Sequence, residues 1–142
     1  MNRPWNIVGV FCEDVREEKT GHTLIGILPD NLSVPEVPGA IPKLGIYVRC
    51  HVETHADVGP ISLKLKFADG EIIKLANFNE AKVKATQEDA RNKDAPLAGF
   101  VLLAVAVMVQ ILTVGRILAI VEIRKEEVIA AALNIEIPPP TT

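Results

Sequence analysis

The chain has 142 residues, 49% hydrophobic and 4% aromatic, with a formal net charge of −3. That length fits a single domain over 1–142 with a sizeable core, while the acidic balance and scarce aromatics give nucleic acid neither a phosphate-binding face nor stacking platforms. Two cysteines, Cys12 and Cys50, make no disulfide framework, and the opening Met1-Asn2-Arg3-Pro4-Trp5 lacks the apolar stretch of a signal peptide, so a cytoplasmic protein with reduced thiols is expected.

Asn6 to Asp14 reads as a strand, Val15 to Gly21 as a charged turn, and His22 to Leu28 as the returning strand. A punctuated loop follows over 29–43, with Pro29, Pro35, Pro38 and Pro42 at a density that forbids a central strand. It is expected to be a crossover between two sheets. In Leu44 to Glu53 the residues Leu44, Ile46, Val48, Cys50 and Val52 alternate with Gly45, Tyr47, Arg49, His51 and Glu53, the pattern of one buried face. Thr54 to Pro60 is a turn, after which Ile61, Leu63, Leu65 and Phe67 face inward. A three-residue loop, Asp69 to Glu71, would pair Phe67 with Ile73 and Leu65 with Leu75, keeping Lys74 off the core face. Ala81, Val83 and Ala85 suggest a short strand, and Thr86 with Asp89 a brief helical turn near 87–93.

The most apolar stretch, Leu97 to Ile123, is long enough to raise the question of a membrane span. Abundant Val and Ile, the polar break at Gln110, Thr113 and Gly115, and flanks of mixed charge favour two strands, 99–109 and 116–124. No membrane span is expected. The first of these strands is apolar on both faces: Phe100, Leu102, Ala104, Ala106 and Met108 on one, and Val101, Leu103, Val105, Val107 and Val109 on the other. A strand with one wet face alternates apolar and polar, so both faces require cover, and the second set is the candidate interface. Lys125-Glu126-Glu127 reads as a turn, and Val128 to Ile137 as a last strand ended by Pro138, Pro139 and Pro140. The spacing predicts an all-β fold, a single antiparallel β-sandwich (immunoglobulin-like or jelly-roll-like) of about eight strands.

Chemical constellations are sparse. His51 and His55 have a zinc-like spacing beside Cys50, but Cys50 points away from His51 and the remaining histidine, His22, is distant in sequence. A thiol nucleophile at Cys12 is disfavoured by the adjacent Glu13 and Asp14, and Cys50 reads as buried. Glu13, Asp14, Glu17 and Glu18 contain carboxylates enough for calcium or a glycosidase pair, yet Arg16 and Lys19 among them mark a solvated turn. No catalytic residue, metal or cofactor is expected.

Phe11-Cys12-Glu13-Asp14-Val15-Arg16 with Thr23-Leu24-Ile25-Gly26-Ile27, then Ile41-Pro42-Lys43-Leu44-Gly45-Ile46-Tyr47-Val48-Arg49 and Pro96-Leu97-Ala98-Gly99-Phe100, resemble an uncharacterised family. Its members are small bacterial and phage-related proteins, known only as a domain of unknown function. The resemblance covers most of the chain, implies a β-sandwich, and carries over no catalytic or binding residue. The expectation is a non-enzymatic structural or accessory module acting through protein–protein contacts, as a homo-oligomer or with a protein partner. The alternative is a binding module for a small ligand or lipid surface that uses loop 29–43, with Asn31 and Tyr47 lining a pocket. A hydrolase or metalloenzyme ranks third.

Overall fold

The structure is a computed structural model and describes residues 3–139; Met1, Asn2 and Pro140, invoked above, lie outside the described residues. Nine strands and one helix follow in the order β1 (Trp5–Glu18), β2 (Gly21–Ile27), β3 (Asn31–Ser33), β4 (Gly39–Glu53), β5 (Ile61–Lys66), β6 (Ile72–Phe78), α1 (Glu80–Asn92), β7 (Leu97–Ile111), β8 (Gly115–Ile123) and β9 (Glu126–Glu136). They form a four-stranded sheet, β2-β1-β4-β7, and a five-stranded sheet, β3-β9-β8-β5-β6. The described residues are thus mostly β, in two sheets and with no barrel.

β4 bears out its alternation: Leu44, Ile46, Val48, Cys50 and Val52 are all buried, while Arg49 and Glu53 are exposed. Its ladder runs antiparallel to β1 from Trp5↔Val52 to Cys12↔Gly45, and to β7 from Glu53↔Leu97 to Gly39↔Ile111. Ile61, Leu63 and Leu65 of β5, and Phe67 just beyond its end, are buried as expected. One cluster of buried residues draws from both sheets and includes Val83 of the helix. Each fully buried Val, Leu or Ile in it contributes about 1.5–3 kcal/mol by leaving water.

Several local expectations are corrected. Val15 to Glu18 are strand, and the β1–β2 turn is only Lys19-Thr20, because Glu18 pairs directly with Gly21. Loop 29–43 contains β3, which lies parallel to β9, so the sheets are not wholly antiparallel. It also contains the start of β4, Pro42 included; at that point β1 has already left β4, so the missing N–H breaks no ladder on that side. The hairpin after Phe67 closes with Phe67 N–H donating to Glu71 C=O at 2.9 Å, around Ala68-Asp69-Gly70. Gly70 takes φ +93°, where a side chain is strained. Leu65 consequently faces Ile73 and not Leu75, and a bulge between Leu63 and Lys64 shifts the pairing by one further on, so that Leu63 faces Ala76.

The segment 81–85 is helical. Asn79 caps α1 by accepting from the Lys82 N–H at 2.8 Å, and Val83 and Gln87, one turn apart, are its buried residues. The β8–β9 turn is Arg124-Lys125, both at positive φ (52° and 61°), the geometry that two-residue hairpins favour.

β7 reverses its facing partway. Phe100 and Leu102 are in the core as expected, and so are Val109 and Ile111. Met108, assigned to the inner face, is 64% exposed at φ 51°, and this single left-handed residue shifts the alternation. Val109 therefore leaves the outward set. In dilute solution, Val109→Asp is expected to lower the unfolding free energy by at least about 3 kcal/mol through burial of an unpaired charge. Val107→Asp is expected to stay within about 0.5 kcal/mol of the parent in chemical denaturation.

Candidate functional site

Two regions combine accessible apolar surface with defined geometry. The first is a fork in the four-stranded sheet. Beyond Cys12 and Gly45, β1 continues paired with β2 alone, and the beginning of β4 is paired with β7 alone. The strands part where Gly45 passes Cys12: a Cβ at Gly45 would lie 3.0 Å from the Cys12 Sγ. At the throat, Lys43 Nζ meets the Asp14 carboxylate at 3.0 Å. The cleft beyond has a volume of about 480 Å³ and walls that include Ile25, Leu28, Leu32, Val34, Ile41 and Pro42. Glu13, Asp14, Arg16 and Lys43 stand at its polar margin. That size and lining match small-molecule sites, which run from about 300 to 1,000 Å³.

Loop 29–43 does shape this cleft, but not through the residues expected to line it. Asn31 accepts from Asn134 Nδ2 at 3.1 Å on the β3–β9 ladder. Tyr47 lies on the outer face of β4, its ring 5.5 Å from that of His22, edge to face.

The second region is β7. Among the described residues it pairs with β4 and with no strand on its other side. Its outward residues Val101, Leu103 and Val105 are half-buried beside Arg49, Tyr47 and Gly45 of β4, while Val107, opposite Lys43, is 70% exposed. Of the five predicted interface positions the structure thus gathers four on one face and places Val109 in the core. Helix α1 is tied down near the start of the strand. Gln87 Nε2 donates to the Glu53 and Ala56 carbonyls at 3.0 and 2.7 Å, and Arg91 reaches the Thr54 carbonyl. Glu53 is the partner of Leu97, so the helix is anchored beside the start of the strand, and farther along Val107 and Met108 are exposed. The exposed Met108, Leu112 and Val114 continue the apolar surface there.

The remaining candidates are dispersed. Cys50 is on the inner face of β4 and Cys12 covers Gly45 on the outer one, and both are free and buried. Burial pushes the Cys50 thiol up to about 12. Cys12 is also raised, first by burial and then by the Asp14 charge. Among the described residues no three His, Cys, Asp or Glu side chains gather closely enough to hold a metal ion, and no helix is long and apolar enough to cross a membrane. The fork was invisible to local patterning, since it depends on two strands separating after a shared ladder; Gly45 opposite Cys12 was its one trace in the sequence.

The chain belongs to DUF6941, a family of unknown function whose model matches residues 7–136. No curated protein and no solved structure matches it.

Two outcomes are expected. Lys43 holds the Asp14 carboxyl below its ordinary value, mainly by hydrogen bonding. Lys43→Met should raise the Asp14 midpoint in an NMR titration. The parent's stability advantage over this variant should be complete at neutral pH and disappear as pH falls through the depressed midpoint. Both thiols should resist alkylation at neutral pH in the native protein and react once it is denatured, as read by intact mass.

Proposed function

We propose that the two sheets are the halves of a one-domain β-sandwich that acts without catalysis, by contact of its β7 edge with another protein chain. The observation that carries this reading is the edge itself: β7 runs from Leu97 to Ile111 with neither a charged residue nor a proline. An exposed strand edge is a template for further pairing, and proteins usually blunt such edges by shortening, charging or bending them; β7 is long and uncharged, and departs from regular strand geometry only at Met108, with φ 51°. The other edges are so treated. β3 spans Asn31–Ser33, β2 only Gly21–Ile27, and β6 is short and carries Lys74 beside a bulge in its neighbour. The non-catalytic side of the reading is supported by two protonated, buried thiols and by an Asp14 charge already neutralised by Lys43. The bacterial and phage-related setting and the cytoplasmic location belong to the same proposal.

A photo-crosslinking residue at position 107, introduced into the protein in the cells that naturally make it, should give a discrete protein adduct. The same residue at the exposed Ile129 of β9 should not. Equal crosslinking at both positions, or none at 107, refutes the edge as the working surface.

The cleft favours a second reading, binding of a small apolar ligand. Here the enhancement of anilinonaphthalene sulfonate fluorescence by the native protein should be abolished by Ala40→Trp, which fills the cleft. Unchanged fluorescence would remove this reading.

A further inference from the structure

Resting on the second reading, in which the cleft between β1 and β4 takes a small molecule, we infer that its ligand is a monocarboxylate with an aliphatic tail. The tail lies against the apolar walls, and the carboxylate is held at the margin by Arg16 and Lys43. The walls fix the first half of this description. Val34 and Ile41 are the best-buried residues of the lining, and Ile25, Leu28 and Leu32 are half-buried around them. An aliphatic chain laid there removes apolar surface of both partners from water.

The margin decides the head, because its four charged groups are not equivalent. Asp14 and Arg16 are two apart on β1, opposite Ile25 and Thr23 of β2, and so share a face. Glu13 is on the other face, where its side chain lies over Gly26: a Cβ there would stand 2.7 Å from Glu13 Cδ and 2.8 Å from its Oε2. Both Asp14 oxygens are engaged, Oδ2 by Lys43 Nζ at 3.0 Å and Oδ1 by the Val15 N–H at 2.9 Å. Arg16 is close enough to help hold Asp14 ionised, yet it makes no ion pair of its own among the described residues. Two cations and one carboxylate leave this face with one positive charge in excess and with spare donors on both cations. A carboxylate head meets that excess, whereas an ammonium head would meet only an acid already engaged. Arg16 and Lys43 are exposed, so the head stays hydrated while the tail is buried.

The test is a methyl NMR titration of the full chain with octanoate, 1-octanol and octylammonium, which share a tail and differ in the head. Octanoate should shift the Val34 and Ile41 methyl signals and bind at least ~3-fold more tightly than either of the others, the size an exposed ion pair supplies. Arg16→Gln, its thermal midpoint unchanged, should lose that advantage and keep the parent's affinity for octanol. If either of the other two matches octanoate, or if octanoate binding is indifferent to Arg16→Gln, the inference is overturned. The cleft reading then stands on its own as long as Ala40→Trp abolishes the shifts. If none of the three moves these methyl signals, the inference is overturned as well, and the dye fluorescence alone decides the cleft reading.

Discussion

The double ladder of β4 is the constraint on which the rest of the structure depends. Val48 faces Gly9 on one side and Leu102 on the other, and Cys50 faces Ile7 and Phe100. Its inward side chains from Leu44 to Val52 are buried against the opposite sheet. A slip of one residue would turn all of them outward, so the register of β1 and β7 is set by what β4 must hide. The hydrophobic gain per side chain is modest, but it is repeated at every second residue.

Both candidate surfaces follow from this arrangement. Because β4 is longer than its ladder with β1, the two strands part at Gly45, and the space between them becomes the apolar cleft. Because the four-stranded sheet ends after β7, its most apolar strand stands at an edge. The inner face of β7 is satisfied by the core. The outer face has partial cover from Tyr47 and Arg49, and that cover runs out at Val107. Polar chemistry is distributed differently. Lys64 on the outside of the five-stranded sheet bridges Glu122, at 2.8 Å, and Glu127, whereas neither cysteine is exposed.

Much of the fold was legible locally. The alternation of Leu44 to Val52 and of Ile61 to Phe67 reports burial directly, since a strand's two faces differ in environment. The helical turn expected near 87–93 is the second half of α1, but the first half was read as a strand because its apolar stripe is thin: Val83 is buried, but its partner one turn later is Gln87, whose amide serves two backbone carbonyls. The Asn79 cap preceding Glu80 was the available signal. In the β5–β6 hairpin, the side-chain pattern chose a three-residue loop but not its position, which the left-handed Gly70 decided.

What the sequence by itself determined is the β-rich character, the inner faces of β4 and β5, and an apolar stretch in need of cover, all consequences of side-chain periodicity. Tertiary structure alone decided that β7 is an edge, that β1 and β4 diverge, and that Val109 turns inward while Met108 turns out. Those outcomes depend on which distant strands pair and on one backbone angle, and neither is encoded in the spacing of neighbouring residues.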